Sequence, residues 1–77
     1  MELVIIMKFV KKLITRAKSG DYRLDLVPVK YHAQMIKLLN DIRSNNYSYN
    51  YVLYEFIMYN DYSLHNHEFF KTCMMVY

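Results

Sequence analysis

Leu3-Val4-Ile5-Ile6-Met7-Lys8-Phe9-Val10-Lys11-Lys12-Leu13-Ile14-Thr15-Arg16-Ala17-Lys18-Ser19-Gly20 is the stretch that decides the fold. Leu3, Ile6, Val10, Leu13, Ile14 and Ala17 fall at helical spacing on one stripe. Lys8, Lys11, Lys12, Thr15, Arg16 and Ser19 take the other side. Gly20 follows a cationic last turn, as a C-terminal stop should. The spacing predicts an amphipathic helix over residues 2–19.

Outward from it, the pattern changes and then repeats. Tyr22, Leu24 and Leu26 alternate with Arg23 and Asp25 up to Pro28. That predicts an extended connector, with one short edge strand near residues 22–27 as its further form. Residues 30–43 read as helix, with Tyr31, Met35, Leu38, Leu39 and Ile42 inward. Residues 44–46, Ser-Asn-Asn, break the period. Residues 48–60 predict a third helix capped by Ser48, with Tyr49, Val52, Leu53, Phe56 and Ile57 inward. The period-two run at 47–51 keeps a strand as the rival there. A last helix is expected over 63–77, with Leu64, Phe70, Cys73, Met74 and Tyr77 on its inner side. The fold expected is mainly α, a small bundle of three to four helices.

Seventy-seven residues make one domain at most. Neither end carries a clear stop signal, so the domain reads as 1–77 and as a candidate piece of a larger helical bundle. Charged residues are 22% and hydrophobic residues 55%, which excludes a wholly disordered chain. Tyr (9), Met (6) and Phe (4) are abundant, while Gly and Pro occur once each and Trp is absent. This skew matches AT-rich coding. The apolar run at residues 3–7 is far short of the roughly 20 residues a spanning helix needs. It also precedes the positive charges, the reverse of a secretory signal. The expected location is cytoplasm, with the nucleus as second place.

No catalytic residue, metal site or cofactor site is expected. Cys73, the single cysteine, sits among Phe69, Phe70, Met74 and Met75, where a buried, inert thiol is expected. His65 and His67 at i and i+2 diverge by about 200° on a helix and cannot share a metal there. Tyr22-Arg23-Leu24-Asp25-Leu26-Val27-Pro28, followed by a helix ending Lys37-Leu38-Leu39-Asn40, looks like the opening strand and helix of a GNAT-type acetyltransferase. That family binds acetyl-CoA through a Gly-rich loop, which this chain lacks, so no such activity is expected.

Two surfaces remain as binding candidates. Lys8, Lys11, Lys12 and Arg16 form a basic patch on a chain of net charge +3. The plain reading is a solvated face; as a binding surface it suits nucleic acid first, then an anionic membrane surface, then an acidic protein. For the chain as a whole a protein partner is expected ahead of nucleic acid, and a membrane surface is unfavoured. Tyr47, Tyr51, Tyr54 and Met58 share one helical face turned away from Val52 and Phe56, and are the expected partner-binding residues.

Phe9-Val10-Lys11-Lys12-Leu13-Ile14 and Tyr47-Ser48-Tyr49-Asn50-Tyr51-Val52-Leu53-Tyr54-Glu55 resemble, in the same order, segments near the C-terminal end of poxviral Bcl-fold proteins. In an alternative alignment that excludes the first, Glu55-Phe56-Ile57-Met58-Tyr59-Asn60 with Phe69-Phe70 is instead similar to a long helix of that family and the helix after it. The resemblance implies a virus-encoded, non-enzymatic protein that binds a host signalling protein and modulates innate immunity or apoptosis. The chain lacks the family's Leu-x-x-x-Gly-Asp and Asn-Trp-Gly signatures, so no functional residue carries over. The alternatives are a small basic nucleic-acid-binding module and a remnant reading-frame product without independent function. Self-association is a further expected mode, and no small-molecule substrate is expected.

Overall fold

The structure is a computed structural model that describes residues 3–58 and 67–77. Four α-helices form among the described residues: α1 (Leu3–Ser19), α2 (His32–Asn45), α3 (Tyr49–Met58) and α4 (His67–Val76). Helix α1 is the central element and packs against each of the other three. The expected helical bundle is the fold.

Helix α1 ends as its sequence demands. Gly20 has φ +78°, and its N–H donates to the Arg16 carbonyl at 2.9 Å. This closes the helix in the left-handed conformation that glycine adopts without a Cβ clash. Helix α2 ends differently, on Asn46 at φ 52°. The Tyr47 N–H donates to the Ile42 carbonyl at 3.1 Å and the Asn46 N–H to the Arg43 carbonyl at 3.2 Å. Those two bonds make a Schellman cap. The Ser48 hydroxyl oxygen accepts from the Tyr51 N–H at 3.1 Å and caps the start of α3, so the run at 47–51 resolves as cap and helix rather than strand.

Residues 22–27 form no strand. Residues 21–24 are irregular and a turn follows at Asp25 and Leu26. The Val27 N–H bonds back to the Leu24 carbonyl at 3.0 Å, and Pro28 then leads into a 3-10 turn, Val29–Tyr31. No second extended segment lies among the described residues to pair with it, so a ladder has nothing to form against. The alternation instead records packing: Tyr22 and Leu24 are half-buried and Leu26 faces solvent. The Tyr22 hydroxyl ties the connector to α2 by donating to Asn40 Oδ1 at 2.8 Å.

The core is wholly apolar among the described residues and includes Leu13, Met35, Leu39, Val52, Phe56 and Cys73. Phe9 sits at its centre, edge-on to Phe56 (5.7 Å between centroids) and to Tyr77 (6.2 Å). Phe56 in turn meets Phe70 edge-on at 5.0 Å. Offset and edge-on geometries of this kind are the favoured ones for aromatic pairs.

Two inward assignments change. Leu3 is exposed, while Phe9 joins the buried stripe and Ile14 is half-buried against the core as expected. Seventeen residues of α1 span about 25 Å at 1.5 Å per residue, more than its shorter neighbours cover, so its first turn overhangs. Ile57 is exposed rather than inward. Helix α3 offers apolar side chains almost all round, and packing on α1 selects Val52 and Phe56 as its inner edge. Tyr31, Leu38, Tyr49, Leu53 and Met74 are partly buried against the core. Leu64 lies outside the described residues.

Candidate partner-binding surface

Helix α3 has two opposed sides. Val52 and Phe56 are 4% and 2% exposed, whereas Tyr51, Tyr54 and Met58 are 44%, 53% and 58% exposed. The spacing i, i+3 and i+7 puts the latter three along one solvent-facing row. Ile57, 49% exposed, extends that row into a patch. Tyr47 differs from the other expected members. It precedes the helix, is half-buried against the core, and stacks on Tyr51 with centroids 4.5 Å apart and planes at 21°. Its ring buttresses Tyr51 and fixes that ring's orientation.

Beside the stacked pair lies an open cleft of about 270 Å³ with Leu38 and Ile42 among its walls and Asp41 and Glu55 at its rim. The Glu55 carboxylate, one helical turn on, accepts from the Tyr51 hydroxyl and pushes the phenol above its ordinary pKa. The patch therefore joins rigid aromatic area to acidic acceptors. Aromatic rings with a polar handle supply contact area at low entropic cost, which is how interface anchors work.

The basic patch sits elsewhere. Lys8, Lys11 and Lys12 are exposed, and Arg16 is half-buried. All four border an open groove between α1 and α4, with Phe9, Met74 and Tyr77 in its lining. The Arg16 guanidinium lies over the Tyr77 ring, 4.5 Å from its centroid, and Nη1 donates to the Arg23 carbonyl at 3.3 Å. The cations are legible in the sequence but the groove is not, because Tyr77 reaches Arg16 only through tertiary packing.

Cys73 is fully buried, and burial alone pushes its thiol up to about 11. A nucleophile needs the opposite shift. The His32 ring donates from Nε2 to the Val27 carbonyl at 2.7 Å, a bond that holds the connector onto the start of α2. His65 and the side chain of His67 lie outside the described residues, as do Tyr59 and Tyr62. No described helix is long and apolar enough to cross a membrane. The chain matches no family model, no curated protein and no solved structure.

Proposed function

We propose that this chain is a non-enzymatic protein-interaction module that binds its partner through the outer face of α3. The observation that carries the reading is the contrast on that one helix: Tyr51, Tyr54, Ile57 and Met58 are each about half-exposed while Val52 and Phe56 are buried. Tyrosine and methionine are enriched at protein interfaces, and a patch of adjoining apolar groups outside the core marks such a site. Tyr47 supports it from behind by stacking on Tyr51. The Cys73 thiol, buried and raised to about 11, is poorly placed to act as a nucleophile.

The resemblance to poxviral Bcl-fold proteins supports a host signalling protein as the partner, and an innate-immunity or cell-death pathway as the process. Base stacking, which a nucleic-acid module would need, is less well served: the Tyr47 ring is already stacked on Tyr51 and the Tyr77 ring is covered by Arg16. The test is the double variant Tyr51→Ala with Tyr54→Ala, read by affinity capture from host-cell lysate and by thermal melting. Partners lost with the chain still folded and its melting temperature lowered by no more than about 10 °C are the expected result. Partners retained at full yield by the folded variant contradict the reading.

A further inference from the structure

We propose that the groove between α1 and α4 is a second docking site, built to receive an acidic amphipathic helix of a partner protein. The groove encloses about 600 Å³ and shares no lining residue with the α3 face. Its charge is of one sign. Lys8, Lys11, Lys12 and Arg16 border it, and among the described residues no acidic side chain lines it. Helix α1 contains no acid at all, and none of these four cations forms an ion pair among the described residues, where Arg23 with Asp21 is the ion pair present.

The spacing fits a helix. Lys8, Lys12 and Arg16 recur every four residues, about 6 Å apart along α1 and about 12 Å end to end. Carboxylates at i, i+4 and i+8 on a second helix have the same 6 Å step, so a helix lying along α1 can face all three cations at once. The interior of the groove fits the apolar side of such a helix. Ile5 and Met74 line it, and Ile5 is 41% exposed. A helix laid into an apolar groove, with charges at the rim setting register, is a recurrent mode of recognition.

Two features set the groove in advance. Arg16 is held over Tyr77 and onto the Arg23 carbonyl, so little rotamer freedom is left to lose on binding. Tyr77, a lining residue only 6% exposed, packs edge-on against Phe9 with centroids 6.2 Å apart, which fixes its ring in place. The same features disfavour other anionic occupants. Arg16 covers the Tyr77 ring and Phe9 is 3% exposed, so neither offers a free face to a nucleotide base. A free phosphate has no apolar side to place on Ile5 and Met74.

The probe is a fluorescently labelled synthetic helix with Glu at i, i+4 and i+8 and Leu on the adjoining stripe, titrated against the full chain by anisotropy. A scrambled peptide of the same composition, a single-stranded oligonucleotide and anionic phosphatidylserine vesicles run beside it. The patterned peptide is expected to bind at least about tenfold more tightly than the scrambled one. Lys8→Glu with Lys12→Glu, both exposed, is expected to weaken it by a further tenfold or more, roughly. Lys18→Glu, on the same helix but outside the groove, is expected to leave it unchanged within about twofold. Equal binding of patterned and scrambled peptides overturns the proposal, as does tighter binding of oligonucleotide or vesicles. Self-association of the chain that the double reversal abolishes also overturns it, by making a second copy the occupant. None of these results bears on the α3 face, whose failure is read by its own tyrosine variants.

Discussion

Replacing Phe56 by Ala and, separately, Tyr54 by Ala tests the rotation of α3, on which both the core and the proposed surface depend. The Phe56 ring is 2% exposed and packs edge-on against Phe9 at 5.7 Å and Phe70 at 5.0 Å. Truncating a buried Phe costs about 3–5 kcal/mol, lost transfer energy and cavity together. Within that, each edge-on aromatic pair accounts for about 0.5–1.5 kcal/mol. A chain of this length has a total stability of roughly 4–12 kcal/mol at 0.05–0.15 kcal/mol per residue. Phe56→Ala therefore removes a quarter of the stability at the least, and unfolds the chain at the low end of that range. At about 4–8 °C per kcal/mol for a domain this small, the melting temperature falls by at least about 12 °C. Tyr54 stands 53% exposed on the opposite side. Its truncation costs under about 1 kcal/mol, a shift of a few degrees. Thermal melts by circular dichroism at one protein concentration read both variants. A Tyr54→Ala loss as large as that of Phe56→Ala refutes the reasoning, because it places the tyrosine face in the core.

Other expectations follow from local geometry. Gly20→Ala forces a Cβ into a left-handed residue at φ +78° and into the Arg43 guanidinium, so it is expected to cost about 1–2 kcal/mol by denaturant titration. Cys73 is expected to resist an aromatic disulfide reagent at neutral pH in the folded chain and to react at once in denaturant, since its thiol is buried and raised to about 11. Between the thiol's ordinary 9.0 and about 11 the folded chain keeps a proton that the unfolded chain releases, so this group makes stability fall as pH rises through that window. Cys73→Ala is expected to flatten that part of the stability profile, and an unchanged slope counts against the assigned burial.

Much of the fold is legible in periodicity. The stripe of Ile6, Val10, Leu13 and Ala17 with Gly20 behind it specifies α1 by local rules alone, and the structure buries all four of those side chains. Ser48 is legible as a cap for the same reason. What the sequence leaves open is rotation and reach. Phe9 borders the α1 stripe, and only the arrival of Phe56 and Tyr77 from distant helices makes it central. In α3 the apolar residues run nearly all round, so the angular pattern does not choose between Ile57 and Phe56, and tertiary packing does. The connector at residues 22–27 alternates like a strand because its side chains alternate between bundle and solvent, and strand pairing needs a partner that local pattern cannot supply. Of the candidate surfaces, Tyr51, Tyr54 and Met58 were legible from helical angles. The basic groove was legible as charge but not as shape, because its wall from α4 is non-local.

The most direct test of the account is tyrosine nitration footprinting of the chain alone and bound to a protein captured from cell lysate, read residue by residue by mass spectrometry. The free chain is expected to nitrate at Tyr51 and Tyr54, which stand about half-exposed, and to spare Tyr77, which is buried. In the complex Tyr51 and Tyr54 are expected to become protected. Tyr51 and Tyr54 nitrating equally in the free and bound chain would contradict the claim that α3 is the partner-binding surface.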